Sequence, residues 1–548
     1  MNLLIVIPAR GGSKGIPRKN LRPLAGKPLI YYSITEALKV NIVGVNVDVF
    51  VTTDDEEIGL FAQRFGARVI HRDKNLANDL STLDPVIKHA FGECQKLTGR
   101  KYQYICTVQP TSPLVSYLDV ENSFKLIESE ALDTVMSVVD DRHLFWTTVN
   151  GKGIPLYNER VNRQQLPPNF KETGAVVICS SEQLNTNDTR VGERVSIYNM
   201  PVERSFDIDT YADLSICEAM LSRKKIVFTV VGYAEVGLGH AYRTLMLAHE
   251  LVQFDLVFVI EKQSDLAIRY IQEHNYTVVI AEEGMLAERV NELNADLIIN
   301  DILDTTSQYM DCIKSNFCKV VNFEDLGEGA SQADFVVNAL YPHQSGGSNV
   351  LVGAKYFCLR DEFLYLGEQL KRTITSVLIT FGGVDEGDVT RATVKELSSY
   401  AVDKQLFLDI VVGPGYQNYR NLVKELSKYD ALDYSITKQT NRISEHMIKA
   451  DLAITSGGRT VLELNALKIP TIVICQNDRE LSHSFASFEN GVLNLGHRNN
   501  ISKGDIVKTV DRVINDGDLK KEMIQSMEKL DLSRGKERVI SKIKSLLV

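Results

Sequence analysis

No apolar run in this 548-residue chain approaches the roughly 18 residues a membrane span needs. That argues against an integral membrane protein. The eight cysteines, at 94, 106, 179, 217, 312, 318, 358 and 475, include no C-x-x-C pair, which argues against a zinc or dithiol centre. Several lie inside apolar runs, Cys106 in YICTV and Cys475 in TIVICQ, where a free thiol packs as a small hydrophobe. Positive charge is not in excess either. Lys and Arg total 61 against 71 Asp and Glu, a formal net charge of −10. An acidic chain makes a poor partner for a polyphosphate backbone, so nucleic acid is not expected, although local basic clusters would suit small phosphorylated ligands. Low-complexity tracts and short repeats are missing. The opening MNLLIVIPAR lacks the basic start and small-residue tail of a signal peptide and reads as a strand. A reducing cytoplasm is the expected location.

What is present is alternation. Short β-rich runs, LLIVIPA (3–9), VDVFVTT (47–53), YICTVQP (104–110) and TVMSVVD (134–140), are separated by helical patterns, which predicts α/β architecture with parallel sheets. After the helical TYADLSICEAMLSR and the basic trio Arg223, Lys224 and Lys225, a strand starts afresh at Ile226 and leads into a glycine loop. A boundary is expected near 224. A second restart at SVLITFGGVDEGD (376–388) divides the remainder into lobes of 225–370 and 371–548. Ligands of such sheets bind beyond the carboxyl ends of the strands or between the halves.

The loop ARGGSKGIPRKNLRPLAGKPL (9–29) carries Arg10, Lys14, Arg18, Lys19, Arg22 and Lys27 among glycines at 11, 12, 15 and 26. Glycines let backbone N–H groups approach an anion, and the cations neutralise it. The spacing is not that of the G-x-x-x-x-G-K-[ST] loop. A merely solvated basic loop is the alternative. In SFDIDTYAD, Asp207 and Asp209 alternate as on a strand and would share a hard cation such as Mg²⁺, with Asp209 as a helix N-cap the competing reading. Asp54 and Asp55 precede EEIGLFAQRF and read more simply as helix-capping residues than as a second metal pair.

IPARGGSKGIPRKNLRPLAGKPLI, LANDLSTLDPV (76–86), VQPTSPL (108–114), NRQQLP (162–167) and FDID (206–209) together resemble the acylneuraminate cytidylyltransferases, the CMP-nonulosonate synthetases, over 1–222. The resemblance implies a Rossmann-like nucleotidyltransferase domain. It implies that CTP and a nine-carbon 2-keto acid sugar give a CMP-sugar and pyrophosphate. Carried over, it places Arg10, Gly11, Gly12, Ser13, Lys14, Lys19 and Asn20 around the triphosphate, and Arg72, Ala77 and Ser81 at the cytidine. Gln109 and Arg163 would hold the sugar acid, and Asp207 with Asp209 the Mg²⁺. It also implies a homodimer through this domain. Two positions depart from the pattern: Val115 stands where an Arg commonly follows TSPL, and Thr173-Gly174-Ala175 where Asn-Gly-Ala is common.

In VVGYAEVGLGHAYRTLMLAHEL, Gly237-x-Gly239 lacks the third glycine of a dinucleotide fingerprint, so Glu261 in the ribose position is a weak sign of NAD. His240 stands at the head of a helix, whose positive end would favour a neutral imidazole able to act as a general base; a structural histidine is the alternative. Downstream, ITSGGRTVLELNALKIP pairs a glycine turn with a helix beginning near Arg459, a plausible diphosphate seat. Glu463 one turn in would meet ribose hydroxyls or else face solvent. GLGHAYR, YFCLRDEFLYL, VLITFGGVDEGD, LDIVVGPGY and ITSGGRTVLELNALKIPTIVI resemble the UDP-sugar hydrolase of pseudaminic acid biosynthesis, a relative of two-lobed GT-B glycosyltransferases. That resemblance implies that His240 activates water, while Gly382, Gly383, Ser456, Gly457, Gly458 and Glu463 contact UDP. GYAEVGLGH lacks the Arg-x-Asp segment usual before the GxGH turn. The lysine-bearing 501–548 reads as solvated surface helix.

The expectation is therefore a bifunctional enzyme, a CMP-nonulosonate synthetase joined to a UDP-sugar hydrolase. A glycosyltransferase or a non-catalytic UDP-sugar sensor is the alternative for the second block. A separate nonulosonate synthase, acting between the two steps, is a possible associate.

Overall fold

In the computed structural model every residue is described except 14, 79–80, 234–235, 342–348, 367–372, 441 and 548. Packing divides the chain into two units, Met1–Arg223 and Lys224–Val548.

The first unit is built on a seven-stranded sheet. In spatial order the strands are Val195–Asn199, Thr134–Asp140, Phe170–Ser180, Tyr104–Val108, Asn2–Pro8, Asn46–Thr53 and Arg68–His71. The runs that alternation marked as strands form Asn2–Pro8, Asn46–Thr53, Tyr104–Val108 and Thr134–Asp140. The sheet is not wholly parallel, however. Phe170–Ser180 runs antiparallel to both neighbours, with its register broken between Glu172 and Val177. The polar start of that segment hides a strand whose second half, Ala175–Cys179, is mostly buried. Asn2–Pro8 sits centrally with Leu3 to Ile7 fully buried, so the basic loop that follows leaves the middle of the sheet at its carboxyl edge.

The second unit contains two wholly parallel sheets. One orders its strands Thr277–Ala281, Asp255–Glu261, Lys225–Val230, Leu297–Asp301, Lys319–Phe323, Phe335–Asn338 and Val350–Val352. The other orders them Tyr434–Lys438, Phe407–Val412, Ser376–Thr380, Leu452–Thr455, Thr471–Cys475 and Val492–His497. In both, the first strand lies between the second and the fourth. The order in which strands are added therefore reverses at that point, and a crevice opens beyond the strand ends.

The final segment corrects one expectation. Residues 501–548 are not simply a solvated helix but contain three, Asp505–Asn515, Gly517–Glu528 and Gly535–Ser545, each with a buried face. The last crosses back from its lobe: Val539, Ile540 and Ile543 pack with Ile226, Phe228 and Phe258 of the first lobe's sheet. Each such buried side chain contributes about 1.5–3 kcal/mol. Gly535 makes this docking possible, because a Cβ there would lie 2.0 Å from the Phe357 carbonyl oxygen. No helix among the described residues is long and apolar enough to cross a membrane.

Candidate active sites

In the first unit the glycine-rich loop is fastened to the acidic segment. Lys19 Nζ donates to the Ile208 carbonyl (2.6 Å) and reaches Asp209 (3.3 Å). Arg22 donates to the Tyr211 hydroxyl (3.0 Å). A Cβ at Gly15 would lie 2.8 Å from the Asp209 carbonyl oxygen. Asn20, buried, donates to the Arg10 carbonyl (2.9 Å) and holds the loop's curvature. The Gly11 N–H donates to Asp54 (3.1 Å). Gly12 has open space on its Cβ side. Ser13 is half-buried, and Lys14 lies outside the described residues.

Asp207 and Asp209 flank the buried Ile208 on an extended segment, not on a strand of the sheet. Partial desolvation raises the Asp207 carboxyl above its ordinary value. A Thr111 hydrogen bond opposes that rise, and Asp209 adds to it. The Asp209 side chain is 76% exposed. It does not cap the following helix, since Thr210 does so in a reciprocal box with Asp213. Asp55, by contrast, caps its helix through Glu57 and Ile58 N–H, as the sequence suggested.

Arg72, 8% exposed, follows the edge strand Arg68–His71, and its Nε and Nη1 have no protein partner. Burial pulls its guanidinium below the ordinary range; Asp54 opposes that shift and Arg10 adds to it. An unsatisfied buried cation facing another cation marks a place for an anion or an acceptor-rich ring. Ala77 closes a one-turn helix, and Ser81 donates to the Asn75 carbonyl (3.0 Å). Arg10 reaches this segment through the Asn78 carbonyl at 3.4 Å. Gln109 lies against Gly174, where a Cβ would sit 2.8 Å from its Nε2. Gly174 has φ +67° at the register break, in the left-handed region that favours glycine. Thr173 is turned away from this opening, its hydroxyl 2.7 Å from Ser137. Arg163 stands exposed on a single turn and adds only a small pull to the Asp140 carboxyl, which the Arg142 hydrogen bond chiefly holds below its ordinary value.

In the second unit His240 is the second residue of the helix Gly239–His249 and Asp301 the last of the strand Leu297–Asp301. They meet at the point where strand order reverses, with Nδ1 2.5 Å from Asp301 Oδ1. An N–H donated there leaves Nε2 as the acceptor. The imidazole is 17% exposed and Asp301 fully buried. Burial would raise the Asp301 carboxyl, but the Arg243 guanidinium and His240 outweigh it and hold it down to about 2. Arg243 grips Asp301 with two nitrogens (2.7 and 2.5 Å) and reaches Glu324 (3.3 Å). Glu324 also accepts from the Ala339 and Leu340 N–H groups. The helix end was the expected influence on His240, and sequence reading missed the carboxylate. Its signal was an acid directly ending the buried run LIIN.

Around the second lobe's strand ends, Gly382 (φ +79°) and Gly383 follow Ser376–Thr380, and Ser456–Gly458 follow Leu452–Thr455. The helix expected as a diphosphate seat is only Thr460–Ala466, too short to carry that role alone. Glu463 is buried and not solvated, receiving Arg360 Nε at 3.0 Å. Arg459 lies over the Phe357 ring, its Nη1 buried without a partner; burial and Arg243 pull its guanidinium down to about 10. In the first lobe Glu261 already accepts the Gly284 N–H (2.8 Å), which leaves little of the dinucleotide pattern.

Residues 4–150 match the cytidylyltransferase family, and residues 377–539 match the glycosyltransferase family 28 C-terminal domain. A pseudaminic acid cytidylyltransferase of Campylobacter jejuni is 30% identical over 228 residues, 40% of this chain and 96% of that protein. An N-acylneuraminate cytidylyltransferase of Streptococcus agalactiae is 26% identical over 341 residues, 58% of this chain and 77% of that one. An uncharacterized protein of Methanocaldococcus jannaschii is 30% identical over 276 residues, and the chain spans only 56% of its length. The molecule thus joins a nucleotidyltransferase-like α/β unit to a two-lobed GT-B-like unit.

Proposed function

The chain belongs through its first unit to the cytidylyltransferase family, and from that premise we propose that this unit makes a CMP-nonulosonate from CTP and a nonulosonate. The anomeric hydroxyl of the sugar acid attacks the α-phosphorus. A P–O bond forms, the bond to the β-phosphate breaks, and pyrophosphate leaves as the hydroxyl proton is lost to solvent. Little covalent work falls to the protein, so its residues act by positioning and charge neutralisation. The loop amides of 12 and 13, with Arg10 and Lys19, gather the triphosphate, while the Gly11 N–H is held by Asp54. Arg72, Ala77 and Ser81 border the base, and Gln109 with Arg163 the sugar acid. Asp207 and Asp209 fit Mg²⁺: both are hard oxygen donors beside a cationic loop, and among the described residues no third protein ligand joins them, leaving its other positions for phosphate oxygens and water. Bound there, the ion would neutralise developing charge on the phosphates. The observation carrying this reading is the loop's attachment to the acid pair through Lys19. Lys19→Ala is expected to reduce pyrophosphate release from CTP and a nonulosonate by about 10²–10³-fold. Unchanged release would refute the assignment.

For the second unit the reading is chemistry at the anomeric carbon of a nucleotide-linked sugar, with His240 taking the proton of the attacking hydroxyl and Asp301 holding the ring. The glycosyltransferase family 28 match favours transfer to an acceptor. Hydrolysis is the second reading, favoured by an imidazole open enough to meet water. Gly382, Gly383, Ser456, Gly457, Gly458 and Glu463 line the nucleotide side. UDP release from UDP-linked diacetamido sugars, with and without acceptors, separates the two, and His240→Ala should abolish release in either. Release persisting in that variant would remove His240 from the chemistry.

A further inference from the structure

The glycine turn after Leu452–Thr455 already holds an anion. Glu480 Oε2 accepts the Gly457 N–H (3.2 Å) and the Gln476 N–H (2.8 Å), and the Ser456 hydroxyl donates to the same carboxyl. Converging amide and hydroxyl donors of this kind are how a protein holds a phosphate oxygen. On the far side of the turn the Gly457 carbonyl accepts from His483 Nδ1 (2.8 Å), so the peptide groups on both sides of Gly457 are held by the segment 476–483. The fit is close, since a Cβ on Gly457 would lie 3.1 Å from Cys475 Sγ and 3.2 Å from the Glu480 carbonyl.

The charge, however, is poorly placed. Burial raises the Glu480 carboxyl above its ordinary value against the pull of its three donors, and Asp385 adds to the rise. The segment is also lightly built, a four-residue helix, Asp478–Leu481, capped by Asn477 and exposed at Asn477, Asp478 and Leu481. It carries Arg479, which reaches the first lobe at the Tyr341 hydroxyl (2.5 Å) and the Glu324 carbonyl (3.5 Å).

We infer that Glu480 is an internal competitor for the phosphate position that the Ser456–Gly457 turn and the Gln476 amide offer the donor nucleotide, occupying it until the nucleotide arrives. This rests on the reading that the second unit takes a nucleoside-diphosphate sugar. Displacing Glu480 would move the segment that bears Arg479, so donor arrival is felt at Glu324, which Arg243 links to Asp301 and His240.

The test is calorimetric titration of the full chain and its Glu480→Gln variant with UDP and with uridine. The first unit is identical in both proteins, so any difference reads the second. Glu480→Gln keeps an acceptor for the turn and loses the charge, and is expected to bind UDP about 10-fold more tightly, about 1.4 kcal/mol, with uridine unaffected. Glu480→Asp, whose shorter carboxylate withdraws from the donors, should move the same way. Equal UDP affinity, weaker UDP binding, or an equal change for uridine would overturn the inference. If UDP binds neither protein, the nucleotide reading fails. Inorganic pyrophosphate then decides the seat by itself: tighter binding to Glu480→Gln upholds it, and equal binding overturns it.

Discussion

His240 and Asp301 are 61 positions apart in the chain and 2.5 Å apart in space. Their pairing depends on Arg243, because a carboxylate so deeply buried stays ionised only with a cation against it. Asp301→Asn should lower turnover of the nucleotide sugar by about 10²–10⁴-fold with little change in donor binding, measured as kcat against UDP affinity. The same residue predicts an acid response. Its folded carboxyl lies near 2 against an ordinary 3.8, so its contribution is present above 3.8 and lost as pH falls toward 2. Denaturant unfolding of Asp301→Asn should therefore be less pH-dependent across that window. In the first unit, Gly174→Ala meets both a positive φ and Gln109 Nε2, and a loss of about 1–3 kcal/mol is expected. Legibility at this scale followed chain proximity. Asp207 and Asp209 stood out because they are two residues apart; Asp301, Glu324 and Glu480 did not, because their partners come from distant segments of the chain, His240 and Arg243 for Asp301, Arg243 for Glu324, and Ser456 and Gly457 for Glu480. Thr210 took the cap from Asp209 through a box that TYAD spells out in sequence.

At the scale of elements, alternation located strands with a continuous buried run and overlooked Phe170–Ser180, whose first residues are exposed. Helix periodicity was likewise obscured in the last segment, where Val539, Ile540 and Ile543 are scattered among lysines and arginines. Gly535→Ala should undock that helix from the Phe357 carbonyl and cost the second unit about 3 kcal/mol or more, read as an earlier transition in urea. A hairpin, Trp146–Val149 with Lys152–Pro155, is exposed along both strands, with Trp146 at 56%. Two strands alone are marginal in water, so we propose that a second copy of the chain covers this face. Trp146→Ser should shift sedimentation toward a monomer; an unchanged profile would place the contact elsewhere.

For the whole molecule, each unit has its own sheet cores and its own candidate chemistry. A chain ended after Arg223 should keep the cytidylyl transfer. Chelating divalent metal should stop pyrophosphate release and leave UDP release untouched, because the proposed ion sits at Asp207 and Asp209 in the first unit and the chemistry proposed for the second is carried by His240. The two-block plan was readable from the restarts of strand and glycine loop at 226 and 376, as such restarts are what a parallel sheet requires. The sugar each block prefers was not, because Val115 and Thr173 depart from pattern and Thr173 turns inward to Ser137.

The return of Gly535–Ser545 to the first lobe also sets a timetable. On a ribosome adding about 5–20 residues each second, Ile226, Phe228 and Phe258 emerge about 15–60 seconds before the side chains that cover them. Through that interval the lobe exposes an apolar strip to chaperones and to neighbouring nascent chains. Its yield in the cell should accordingly depend on how quickly translation ends.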